Sequence, residues 1–131
     1  MNGNRGKTIL IVDDDKDYLF QEETQLRAAG FNVITAECQE DAEQILKTTR
    51  PDLVISDLMM ENIDGGFSLS HHIKQLDPKI PIIIVTGAAN EIGLHFTAKT
   101  DEERSWLKAE AVLNKPVRFE LLLAEIEKHL V

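Results

Sequence analysis

A chain of 131 residues, 43% hydrophobic and 28% charged, has the composition of one folded domain able to bury a single core, not of a disordered chain. Its formal net charge of −9 argues against direct nucleic-acid binding, because contact with phosphates needs a basic surface. No apolar run approaches the roughly 20 residues that span a bilayer, and the polar residues 1–7 lack the apolar stretch of a secretory signal, so no membrane partner is expected.

The first predicted element is Thr8 to Val12 (TILIV), apolar and β-branched in the manner of a strand buried on both faces. Asp13, Asp14 and Asp15 follow it at once. Leu19, Leu26 and Ala29 then line a helix that Gly30 closes. Phe31 to Ala36 (FNVITA) is mixed, which places it near a sheet edge. Ala42, Ile45, Leu46 and Thr49 line a second helix, stopped before Pro51. Leu53 to Ser56 (LVIS) is a third strand, with Asp57 at its end. Asp64, Gly65 and Gly66 read as a turn into a third helix, where Leu69, Ile73 and Leu76 recur at i, i+4 and i+7. His71 and His72 on this helix read as surface or packing residues. Ile80 to Val85 (IPIIIV) is a fourth strand that ends at Thr86 and Gly87. Residues 88–110 are expected to form a long or broken fourth helix, or two short ones, packed through Ile92, Leu94, Phe96, Trp106 and Leu107. Ala111 to Leu113 is a short fifth strand, followed by Lys115 and Pro116. Phe119, Leu122, Leu123, Ile126 and Leu130 form the apolar stripe of a last helix.

Strict alternation of strands and helices predicts an α/β fold with right-handed crossovers and helices on both faces of a parallel sheet. Five strands suit the smaller doubly wound arrangement, a flavodoxin-like (βα)5 domain with strand order 2-1-3-4-5. Residues 1–131 are expected to be one domain, with a core of about 7–131. The single Cys38 and the lack of CxxC pairs fit a reducing cytoplasm.

In such sheets ligands bind beyond the carboxyl ends of the strands. Asp13, Asp14, Asp57, Thr86 and Lys115 all fall there. Two carboxylates about 4 Å apart repel by roughly 4 kcal/mol at an effective dielectric near 20, so a counter-cation is expected. Mg²⁺, which favours one or two carboxylates together with waters and phosphate oxygens, suits this set. A carboxylate is also a competent nucleophile toward phosphorus, and Asp57 stands apart by ending a buried strand. Asp15 is assigned to capping the first helix.

ILIVDDD, PDLVISDLMM, IIIVTGA and the closing NKP resemble, in order and spacing, the response-regulator receiver domain of two-component systems. The resemblance implies that Asp13 and Asp14 hold Mg²⁺ together with Asp57 and the backbone carbonyl of Met59. It implies that Asp57 accepts a phosphoryl group from a histidine kinase or a histidine phosphotransfer protein, with Thr86 as the switch hydroxyl and Lys115 as the phosphate-sensing lysine. Switching would alter the surface of the fourth crossover helix, the fifth strand and the last helix, which meets a downstream effector or a second copy of the chain. No enzymatic turnover is implied beyond the domain's own phosphorylation and dephosphorylation.

Two features depart from the family pattern. Val112 occupies a position where receivers usually carry Tyr or Phe, and the 29 positions from Thr86 to Lys115 exceed the usual interval. Two other readings share these residues. A pseudo-receiver would use the fold only for protein binding or dimerisation, and would bind neither Mg²⁺ nor fluoroberyllate. An aspartate-nucleophile phosphatase would use Asp13, and would keep its activity when Asp57 is replaced.

Overall fold

The computed structural model describes residues 6–57, 65–86, 110–115 and 117–130. In chain order its elements are β1 (Thr8–Val12), α1 (Lys16–Ala28), β2 (Asn32–Ala36), α2 (Gln39–Leu46), β3 (Leu53–Asp57), α3 (Gly65–Leu76), β4 (Ile82–Thr86), β5 (Ala111–Asn114) and α4 (Phe119–His129). The helix expected within residues 88–110 lies almost wholly outside the described residues, so the last helix is labelled α4 here.

Five parallel strands lie in the order β2-β1-β3-β4-β5, as the alternation of elements predicts. Val12 pairs with Ala36 on one side and Ser56 on the other, while Asp57 pairs with Val85 and Thr86 with Asn114. That register brings the carboxyl ends of β1, β3, β4 and β5 to one rim.

The period-2 alternation of each strand divides the core into two layers. Leu10, Val12, Val54, Ile82 and Ile84 face α2 and α3, packing on Ala42, Leu46, Leu69 and Ile73. Ile9, Ile11, Leu53, Ile55, Ile83 and Val85 face α1 and α4, packing on Leu19, Leu26, Leu122 and Ile126. Burying each such Leu or Ile side chain contributes about 1.5–3 kcal/mol before entropy is counted. The continuous apolar character of β1, β3 and β4 is therefore the mark of strands covered on both sides.

Local chemistry sets the helix ends. Asp15 caps α1, accepting from the backbone N–H groups of Asp17 (3.0 Å) and Tyr18 (3.2 Å), as expected for an Asp at this position. Gly30, with φ of 104°, turns the chain out of α1. Cys38 starts α2 through its sulfur, which accepts from the Asp41 N–H at 3.5 Å. Three details differ from the sequence reading. The second helix ends at Leu46, so Thr49 lies beyond it, in the approach to Pro51. Gly65 and Gly66 belong to α3 and not to a turn before it. Leu76, the last residue of α3 and of its stripe, stays 40% exposed.

One polar cluster ties α3 to the start of β5. Lys74 Nζ meets both Glu110 carboxylate oxygens at 3.0 and 2.9 Å and donates to the Ile80 carbonyl at 2.8 Å. Glu110 Oε1 also accepts from the Ile82 N–H at 2.7 Å, and the Glu110 N–H donates to the Ile82 carbonyl at 2.8 Å. The carboxylate thus extends the β4–β5 ladder by one residue.

Candidate functional site: an acidic pocket at the strand ends

Asp13 follows β1 and Asp57 closes β3, and neighbouring strands hold them side by side. The Asp13 N–H donates to the Ala36 carbonyl at 3.0 Å, so the backbone stays locked to β2 one residue past the strand. Asp13 is 1% exposed and Asp57 7% exposed, while Asp14 is open to solvent. One carboxylate oxygen from each of the three lies within 4.8 Å of the others.

Lys115, just past β5, reaches into this group. Its Nζ lies 2.8 Å from Asp13 Oδ2 and 3.6 Å from Asp57 Oδ2. Burial pushes the ammonium's pKa down, but the hydrogen bond to Asp13 and the charges of Asp13, Asp57 and Asp15 outweigh it and hold Lys115 above the ordinary lysine value. The other Asp13 oxygen accepts from the Asp15 N–H at 2.9 Å. Both oxygens of Asp13 are therefore engaged, and its carboxylate is fixed in place.

Among the described residues, three carboxylates stand beside one ammonium, which leaves the cluster net negative. Two of the acids are nearly excluded from water, where an uncompensated charge is costly. A hard divalent cation fits that donor set: all-oxygen ligands, two or three carboxylates, and an open side at Asp14 for waters or a phosphate.

The structure brings together Asp13, Asp14, Asp57 and Lys115 from the predicted set. Thr86 ends β4 at the same rim, paired with Asn114 through the backbone. Met59 lies outside the described residues. Val112 is partly buried against the layer beneath α2 and α3, so its small side chain serves the core. His72 Nδ1 stands 3.3 Å from Glu43 Oε2, linking α3 to α2, in keeping with a packing role.

Sequence reasoning missed Tyr18. Its ring lies beneath the Lys115 ammonium, with Nζ 4.5 Å from the ring centroid. The available signal was its place three residues after the capping Asp15, on the first turn of a helix that starts at the site.

Fold and site together define a doubly wound domain that carries an acidic pocket and a lysine at the carboxyl rim of its sheet. Residues 9–127 match the model of the response regulator receiver domain, and the chain belongs to that family. It is 37% identical over 129 residues to the transcriptional regulatory protein ZraR of Salmonella typhimurium, covering 96% of this chain and 27% of that protein. A CheY-like response regulator receiver domain protein from Methanospirillum hungatei superposes with a TM-score of 0.80 at 26% identity, covering 95% of this chain and 94% of that one. The response regulator TrrA of Thermotoga maritima, solved in complex with Mg²⁺-BeF, superposes with a TM-score of 0.76 at 25% identity, covering 94% and 98%. The chain spans 12% to 37% of the length of its curated relatives. Among the described residues, no helix is long and apolar enough to cross a membrane.

Proposed function

We propose that Asp57 is the phosphoacceptor of this receiver domain, and that its phosphorylation by a histidine kinase or histidine phosphotransfer protein is the signal the domain carries. The observation that carries this reading is the cluster itself: the Asp57 carboxylate at the end of a buried strand, within 4.8 Å of Asp13 and Asp14 and 3.6 Å from Lys115 Nζ.

An Asp57 oxygen would attack phosphorus, forming an O–P bond while the P–N bond of a phosphohistidine, or the P–O bond of an acyl phosphate, breaks. The leaving group departs with that bond's electron pair. Catalysis of such a transfer is mainly positioning and charge neutralisation. Asp13 and Asp14, with Asp57 and the Met59 carbonyl, are the groups that would hold Mg²⁺. When bound, the ion supplies positive charge against the phosphoryl oxygens. Lys115 supplies a second positive charge on the side of Asp13. The Thr86 hydroxyl is the proposed sensor of the new group, since β4 ends beside β3.

Phosphorylation adds charge and acceptor oxygens at the rim, and a partner or second copy would read the resulting change in the surface near β5 and α4. TrrA's complex with Mg²⁺-BeF supports the same ligand chemistry here. Membership of the receiver family and the regulator relative ZraR support a place in a two-component pathway.

Incubation with acetyl phosphate and Mg²⁺, read by intact mass, tests the proposal. One added phosphoryl group is expected in the native protein and none in Asp57→Asn. No gain under conditions that modify a control receiver would refute it.

A further inference from the structure

Among the described residues, the Lys115 ammonium meets Asp13, Asp57 and the face of Tyr18. Two are carboxylates that a divalent cation would also claim. The ring is the contact that such a cation leaves alone. We propose that Tyr18 is a positioning residue for Lys115, its ring face keeping the ammonium beside the acceptor when a divalent cation takes the Asp13 carboxylate. This rests on the reading of Asp57 as acceptor and Lys115 as its charged neighbour.

The geometry supports it in three ways. A centroid distance of 4.5 Å is well inside the roughly 6 Å over which a cation is attracted to an aromatic face. The Lys115 side chain is only 24% exposed, so water competes weakly for the ammonium. Tyr18 is also anchored where it stands. Its N–H donates to the capping Asp15 at 3.2 Å, and its side chain packs against the layer under α1 and α4.

Among the described residues, nothing engages the hydroxyl. It is buried with no hydrogen-bond partner among the described residues, a cost that phenylalanine would avoid. Burial, then the charges of Glu22, Asp13 and Asp57, push the phenol's pKa far up, so the hydroxyl stays protonated and the contact is one between an ammonium and a neutral aromatic face. What the site gains from Tyr18 is therefore the aromatic face. A leucine could cover the same core surface but would not hold an ammonium.

Wild type, Tyr18→Leu, Lys115→Met and the double variant form a test cycle, with Tyr18→Phe as the conservative control. Unfolding in urea with EDTA measures the contact without metal or phosphate. Loss of the ring should lower the folding equilibrium constant about threefold to tenfold more with Lys115 present than in the K115M background. Tyr18→Phe should keep the coupling. Phosphorylation by acetyl phosphate at saturating Mg²⁺ measures the loaded site. There Tyr18→Leu should slow the reaction about fivefold, Tyr18→Phe should restore it, and K115M should show no further loss from the second change. Equal losses in both backgrounds, or a Tyr18→Phe as impaired as Tyr18→Leu, would overturn the proposal. Coupling in EDTA with an unchanged phosphorylation rate would overturn its action in the loaded site. If Tyr18→Leu does not fold, Tyr18→Met replaces it. If the wild type takes no phosphoryl group, that failure belongs to Asp57, and the urea cycle alone decides the role of the ring.

Discussion

Lys115→Met removes the cation paired with Asp13 and Asp57 while keeping a side chain of similar length. Its Nζ is 2.8 Å from Asp13 and 3.6 Å from Asp57. At an effective dielectric near 20 these pairs have gross attractions of about 6 and 5 kcal/mol, most of which offsets the cost of desolvating the charges. Removing one partner of a buried pair costs about 3–5 kcal/mol, because the remaining charge is left without compensation. Lys115 retains 24% exposure, and water screens part of the interaction, so a loss of about 2–3 kcal/mol is expected in EDTA. Mg²⁺ should then stabilise the variant more than the wild type, since an added cation replaces the missing one. Binding at ten times the dissociation constant contributes about 1.4 kcal/mol, and the variant should bind more tightly. Urea unfolding followed by circular dichroism, with and without Mg²⁺, measures both effects. A variant as stable as wild type in EDTA, with the same increment from Mg²⁺, would refute the view that the three carboxylates strain against one another.

Two further outcomes concern acids elsewhere in the fold. Glu22 on α1 is 4% exposed, and its burial raises the carboxyl's pKa above the ordinary value of 4.5. The folded state then binds more protons than the unfolded state between 4.5 and the raised value, so stability falls as pH rises through that window and is level above it. Glu22→Gln should therefore stabilise the protein at pH 7 by a few tenths to about 1 kcal/mol, with the gain vanishing below the unfolded value, as urea midpoints across pH would show. Glu110→Ala strips acceptors from Lys74 and from the Ile82 N–H, and should cost about 1–2 kcal/mol, with faster hydrogen exchange at Ile82.

The fold was legible because its strands announce themselves. TILIV, LVIS and IIIV are continuous apolar runs, which only strands covered on both faces require, and their alternation with amphipathic stretches leaves one sensible sheet. Asp13, Asp14 and Asp57 were legible for the same reason: each sits where a legible strand stops. Other features depend on tertiary context. That helix α2 ends at Leu46 instead of Thr49 reflects the approach to Pro51 and the connection to β3, which apolar spacing does not encode. The glycines at 65 and 66 favour turns by propensity, but the packing of Leu69 and Ile73 holds the helix over them. Tyr18 escaped notice because an aromatic ring one turn into a helix looks like core, and its meeting with Lys115 spans 97 positions of chain. The Lys74–Glu110 pair joins residues 36 apart for the same reason.

An acceptor role for Asp57 means that the phosphoryl group is carried there and not on another acid of the pocket. Treatment with acetyl phosphate and Mg²⁺, followed by borohydride, converts a phosphorylated aspartate to homoserine, which peptide mass spectrometry locates. Homoserine is expected at position 57 and at no other acid of the site, dependent on Mg²⁺. Homoserine at Asp13, or none anywhere while a control receiver is modified, would contradict it.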